Sequence, residues 1–161
     1  MKKRFNVKAF VLALLASFGA GALGSAFTMK VVKSEWYSSL KPGITPADYV
    51  FPIVWNILFF LIALSIYFAW TSSANKKERK SVAVVFAVNL VLNAFWSLLF
   101  FALQNPFLAF IDIIFMIIST IFAVRVCCKI NRLSAYLIIP YLVWISFASI
   151  LNYQFMINWF G

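Results

Sequence analysis

The chain contains no histidine, which removes the commonest metal ligand and general base from consideration. Acids are nearly as scarce. Glu35, Asp48, Glu78 and Asp112 are the only four, and their scatter leaves no paired-carboxylate or metal-cluster spacing. An ordinary hydrolase is therefore hard to build here, and no cofactor is required by any residue pattern. The two cysteines, Cys127 and Cys128, are adjacent. They read as apolar filler or interfacial thiols rather than as a disulfide. Charge of either sign is rare, at 11% of 161 residues, whereas hydrophobic residues make up 65%. That balance far exceeds the apolar content of a soluble domain.

What charge there is falls in a pattern. Eleven of the fourteen Lys and Arg residues form three clusters: Lys2, Lys3, Arg4 and Lys8; Lys76, Lys77, Arg79 and Lys80; and Arg125, Lys129 and Arg132. These cations border apolar runs instead of striping a polar surface, so a net charge of +10 points to membrane orientation and anionic headgroups, not to nucleic acid. The runs predict an all-α bundle of five transmembrane helices over residues 9–29, 51–72, 81–103, 107–128 and 133–155, each long enough to cross the hydrocarbon. Residues 1–161 are read as one membrane domain. Because basic residues in short loops stay on the cytoplasmic side, the N-terminus is expected inside and the C-terminus outside, in a prokaryotic cytoplasmic membrane. The run from Ala9 to Met29 exceeds a signal-peptide core and is read as a retained helix.

Most connections are short, so consecutive helices run antiparallel. Gln104-Asn105-Pro106 is a tight turn in which Pro106 opens the fourth helix. Residues 30–50 are the exception, a long segment with Trp36, Tyr37, Pro42, Gly43 and Pro46 that is expected to fold over the outer mouth of the bundle as a lid.

Polar residues at membrane depth usually face the bundle interior and so point to a site. Asn89, Asn93 and Trp96 share one helical face, as do Trp144, Ala148 and Asn152, and Trp55 and Phe59. With the topology above, Trp55 lies near the outer start of the second span, Asn93 and Trp96 in the outer half of the third, Trp144, Ala148 and Asn152 in the middle and outer part of the fifth, and Gly21, Gly24, Ser25 and Thr28 in the outer part of the first. Asp112 lies roughly 7 to 8 Å below the outer end of its helix at 1.5 Å rise per residue. Packing alone accounts for the glycines, and hydrogen bonds between helices for some of the amides. The functional reading is an aromatic pocket for a flat, largely apolar ligand with a polar edge. Lys30, Lys33 and Lys41 near its mouth offer contacts to acidic substituents or to headgroups.

In order along the chain, Gly24-Ser25-Ala26-Phe27, Trp36-Tyr37 through Lys41-Pro42, Val54-Trp55 with Tyr67 and Trp70, Leu92-Asn93-Ala94-Phe95-Trp96 with Phe100-Phe101, Ala109 to Asp112, and Pro140-Tyr141 through Trp144, Ala148 and Asn152-Tyr153 resemble the TspO/MBR family. That family includes the translocator protein, or peripheral benzodiazepine receptor. The resemblance implies a five-helix bundle, commonly a homodimer, that binds porphyrin or haem as ligand, and in animal members cholesterol. Family pocket positions match Tyr37, Trp55, Phe59, Asn93, Trp144 and Ala148. With Trp96, Asp112 and Asn152 from the reading of depth and phase, these form the candidate ligand site.

The resemblance further implies a sensory, scavenging or transport role. Its alternatives are light-dependent porphyrin degradation, with Trp55 and Trp144 as the matching tryptophans, and proton-coupled export through Asp112. Two departures are informative. No basic residue follows Tyr153, which undercuts sterol recognition through that stretch. The segment from Lys41 to Pro46 lacks an aromatic and a second proline that often follow in the family, which implies a looser lid. Ala83 and Ala87, four apart on the third span, are candidates for a dimer contact.

Overall fold

The computed structural model describes residues 5–161, so Lys2, Lys3 and Arg4 of the first basic cluster lie outside the described residues. The described residues form helices and connecting turns, without a strand. Five helices are long and apolar enough to cross a membrane. They are α1 (Val7–Val31), α3 (Val50–Ser72), α4 (Lys76–Ser97, continued by a π-helical turn Leu98–Ala102), α5 (Pro106–Ile130) and α6 (Arg132–Phe160). A six-residue helix, α2 (Glu35–Leu40), lies between α1 and α3.

Local chemistry fixes the ends. Asn6, Asn75, Asn105 and Asn131 each cap a helix by accepting a bond from a backbone N–H of its first turn, which satisfies a donor that has no partner inside the helix. At the start of α4, Glu78 reciprocates by accepting from Ala74 N at 2.7 Å. This exchange, close to a capping box, is why α4 begins at Lys76, five residues before the expected Ser81: the basic cluster is the first turn and a half of the helix. Pro106 occupies the first turn of α5, where its missing N–H costs nothing. Gln104, just before the Asn105 cap, turns the chain with φ 48°.

Side-by-side packing arranges the five long helices in a ring, in the order α1, α3, α6, α5, α4 and back to α1. Consecutive helices run antiparallel. However, α3 and α4 meet less closely than the parallel pair α1 and α4, so the short Ser73–Asn75 connection does not make its two helices the main partners. The reason lies in α1. A Cβ at Gly24 would sit 2.9 Å from Ser97 Oγ of α4, and one at Gly21 would run into the Phe59 ring of α3. Glycine at these two positions lets both neighbours approach. Ser17 adds a 2.7 Å bond from its hydroxyl to Phe59 O.

Helix direction puts Lys8 and the clusters at 76–80 and 125–132 at one end of the bundle, and Lys30, Lys33 and Lys41 at the other. The basic end is closed by polar clasps. Ser65 and Ser134 each donate to the other's backbone carbonyl, at 2.8 and 2.7 Å, and Asn131 Nδ2 donates to Ser72 Oγ at 2.8 Å. Leu15, Ile57, Val91, Phe115 and Val143 are exposed on the outside, as lipid-facing side chains should be. Cys127 is buried, Cys128 is exposed, and both are free.

Candidate functional site

At the end that carries α2, the ring encloses a cavity of about 700 Å³, within the ~300 to 1,000 Å³ span of small-molecule sites. Gly21, Gly24, Ser25 and Thr28 of α1 line one side. Tyr37, Trp55, Phe59, Asn93, Trp96, Trp144, Ala148 and Asn152 line it as well. Residues drawn from four long helices and the connecting segment thus share one wall.

Asp112 does not join them. Its α5 neighbours Ile113 and Met116 line the cavity, whereas Asp112 is buried with its Oδ2 unpartnered. Asn89 is also off the wall. Its amide donates at 2.8 Å to both Ser119 Oγ and Thr120 Oγ1, stitching α4 to α5.

The wall is aromatic and interlocked. Trp55 stacks on Phe59 with centroids 5.3 Å apart and meets the Tyr141 ring edge-on at 6.2 Å. Trp144 meets Phe51 edge-on at 6.0 Å. Trp96 stacks on Phe100 at 5.0 Å, and Tyr37 sits 5.2 Å from Phe155. The π-helical turn makes part of this possible. Its Leu103 N–H reaches back five residues to Leu98 O at 2.9 Å, and the extra residue in the turn rotates Phe100 and Phe101 toward Trp36 and Tyr37 of α2. The helical phase of the sequence gave no sign of that rotation.

The polar groups divide into occupied and unoccupied. Asn152 is bonded through both polar atoms: its Oδ1 accepts from Trp96 Nε1 at 2.9 Å and its Nδ2 donates to Pro106 O at 2.8 Å. Asn93 Nδ2 donates to Tyr141 OH at 3.2 Å. By contrast, Trp144 Nε1 and Thr45 Oγ1 are buried on the wall without a hydrogen-bond partner in the chain, an arrangement that costs about 1 to 3 kcal/mol per group unless something pairs with it. Thr45 and Phe155, both on the wall, are not among the candidate site residues of the sequence. Phe155 looks like an ordinary core aromatic, and only its packing in the folded bundle turns it toward the cavity.

Over the cavity, α2 is held by its own cap, since Ser34 Oγ accepts from Tyr37 N at 3.3 Å. The serine followed by Glu35 in the first turn was the available signal for this helix. Tyr37 is buried, and burial, helped by the nearby Asp48 carboxylate, pushes its phenol up to about 12. The connecting segment is tied by Lys41 and Asp48, 2.6 Å apart, the one salt bridge among the described residues.

A five-helix integral membrane protein with an aromatic cavity at one end of the bundle is thus defined. The chain belongs to the TspO/MBR family, whose pattern matches residues 10–157. It is 38% identical over 149 residues to the tryptophan-rich protein TspO of Archaeoglobus fulgidus, covering 92% of this chain and 95% of that one. The tryptophan-rich protein TspO of Chlorobaculum tepidum is 31% identical over 156 residues, covering 97% and 98%. The translocator protein of Ovis aries is 31% identical over 125 residues, covering 74% and 72%.

Proposed function

We propose that this protein binds a tetrapyrrole, porphyrin or haem, in the cavity at the α2 end of the bundle, and that binding serves a sensory, scavenging or transport role. The observation that carries the reading is the wall itself, where Trp55, Phe59, Trp96 and Trp144 surround about 700 Å³ and Trp144 retains an unpaired N–H. Stacking on indoles and phenyls suits a flat conjugated ring. The absence of histidine leaves haem iron only weaker axial candidates, so recognition rests on the macrocycle and its carboxylates. Metal-free porphyrin then binds about as well as haem.

In this reading the basic end faces the cytoplasm of a prokaryotic cell and the cavity faces the other side, following the retention of basic loops. The protein acts as a homodimer, as the family resemblance implies, and needs no resident cofactor.

The test is an equilibrium titration of protoporphyrin against tryptophan fluorescence in detergent. Saturable binding is expected, weakened at least tenfold by Trp55→Ala combined with Trp144→Ala. Affinity unchanged in that double variant rejects the cavity as the site, provided bound-porphyrin absorbance rather than quenching is the readout for the variant. A second reading, light-dependent porphyrin breakdown, is favoured by the presence of both Trp55 and Trp144 on one wall. It requires absorbance to decay under illumination faster than in a detergent blank, and only with both indoles intact. Proton-coupled export draws no support from the wall, which Asp112 does not join.

A further inference from the structure

The three lysines between the bodies of α1 and α3 have different surroundings. Lys41 Nζ lies 2.6 Å from Asp48 Oδ1 and 5.8 Å from the centre of the Tyr37 ring, so its charge is neutralised and its direction set. Lys30 is exposed in the last turn of α1 and is not on the cavity wall. There it complements the negative end of the helix dipole. Lys33 lines the cavity, is exposed, and makes no ion pair among the described residues. Asp48, the other charged residue on the wall, is held by Lys41.

We infer that Lys33 determines specificity for an anionic substituent, a carboxylate, on the planar ligand that the cavity takes. This rests on the tetrapyrrole reading above and adds to it the chemistry of the ligand's edge. The cavity wall is overwhelmingly apolar, so an amphipathic ligand places its ring among the aromatics and leaves its acid at the mouth. One uncompensated cation awaits it there. A lysine suits the task because its ammonium is a compact charge on a flexible stem that follows the acid over several ångströms. Lys41 is a poor substitute, because meeting a ligand acid would release Asp48 and set a free carboxylate against the incoming one. The mouth therefore has one strong position for a carboxylate, and a second acid on the same ligand gains little.

Protoporphyrin and its dimethyl ester separate ring binding from acid recognition. Each is titrated against the full-length protein in one detergent at low salt, and the ratio of the two affinities is compared among variants so that micelle partitioning cancels. The wild type is expected to favour the acid by about tenfold, the low end for a charge-assisted bond at an exposed position, and the preference shrinks as salt rises. Lys33→Met brings the ratio to about one while ester affinity is kept, which also shows that the variant folds. Lys33→Arg restores most of the preference, and Lys30→Met leaves it unchanged. Asp48→Asn, which frees Lys41, enlarges it.

A full acid preference in Lys33→Met, or its loss in Lys30→Met instead, overturns the inference. Equal binding of acid and ester to the wild type overturns the inference alone. If neither form binds, the tetrapyrrole reading falls and takes the inference with it.

Discussion

Replacing Asn152 by leucine removes a junction without opening a hole. The two side chains have the same number of heavy atoms, so the loss is mainly polar rather than volumetric. Asn152 is 1% exposed and joins three elements: it accepts from Trp96 on α4 at 2.9 Å and donates to the Pro106 carbonyl at the start of α5 at 2.8 Å. Hydrogen bonds between membrane helices average about 0.6 kcal/mol, which gives about 1.2 kcal/mol for the pair. The indole N–H left behind is partly buried and loses its acceptor, a desolvation cost of about 1 kcal/mol or more. Asn152→Leu should therefore destabilise the bundle by about 2 kcal/mol. The assay is reversible SDS unfolding in mixed micelles, followed by far-UV circular dichroism. In a cycle with Trp96→Phe, the double variant should lose about 0.6 to 1 kcal/mol less than the two single variants together, because the shared bond is lost only once. A single-variant loss under about 0.5 kcal/mol, or strict additivity in the cycle, would refute the assignment of Asn152 as the brace that sets the Trp96 plane.

Gly21→Val should reduce porphyrin affinity at least tenfold, because the new side chain displaces the Phe59 ring that lines the cavity; unaltered binding in the same fluorescence titration contradicts this. Tyr37 gives a pH signature. Its phenol rises from 10.0 to about 12, chiefly through burial and secondarily through Asp48. Below pH 10 both folded and unfolded chains keep the proton, whereas between pH 10 and about 12 the folded state binds it more tightly, so stability falls as pH rises through that window. Tyr37→Phe should flatten that part of the stability profile, and an unchanged slope would remove the assignment. Ser65→Ala with Ser134→Ala should cost about 1 to 2 kcal/mol in SDS unfolding while leaving porphyrin affinity unchanged, since the clasp lies at the basic end, away from the cavity.

Much of the bundle was legible because hydrophobic runs and basic clusters report directly on a solvent, the bilayer, that tolerates few alternatives. The helices run past the expected spans, α4 starting at Lys76 and α6 ending at Phe160, because capping asparagines and headgroup-level residues extend helices past the hydrocarbon that hydropathy measures. The lining of the cavity by Gly21, Gly24, Trp55, Asn93, Trp96 and Trp144 follows from phase and depth, both properties of a regular helix. Where the helix stops being regular, phase no longer reports which way a side chain faces. The π-helical turn at Leu98–Ala102 shifts the phase of Phe100 and Phe101, and no local residue pattern announces it.

Asp112 shows a different limit. Depth placed it at the cavity level, yet depth does not say which way a side chain turns around the axis of α5. Asn152, a candidate ligand residue by phase and depth, does line the cavity, but both of its polar atoms are bonded to the protein. Its contribution to the site is to hold Trp96. The helix α2 was missed although Ser34 and Glu35 advertise it, because six residues are too few for periodicity to register.

Locating bound protoporphyrin in an experimental structure of the complex tests the central claim most directly. The macrocycle should lie inside the ring of helices, against Trp55, Phe59 and Trp144, with an acid group turned toward Lys33. A macrocycle resting instead on the lipid-facing groove between α1 and α4, against Gly19, Leu23, Val91 and Phe95, with the interior unfilled, would contradict it.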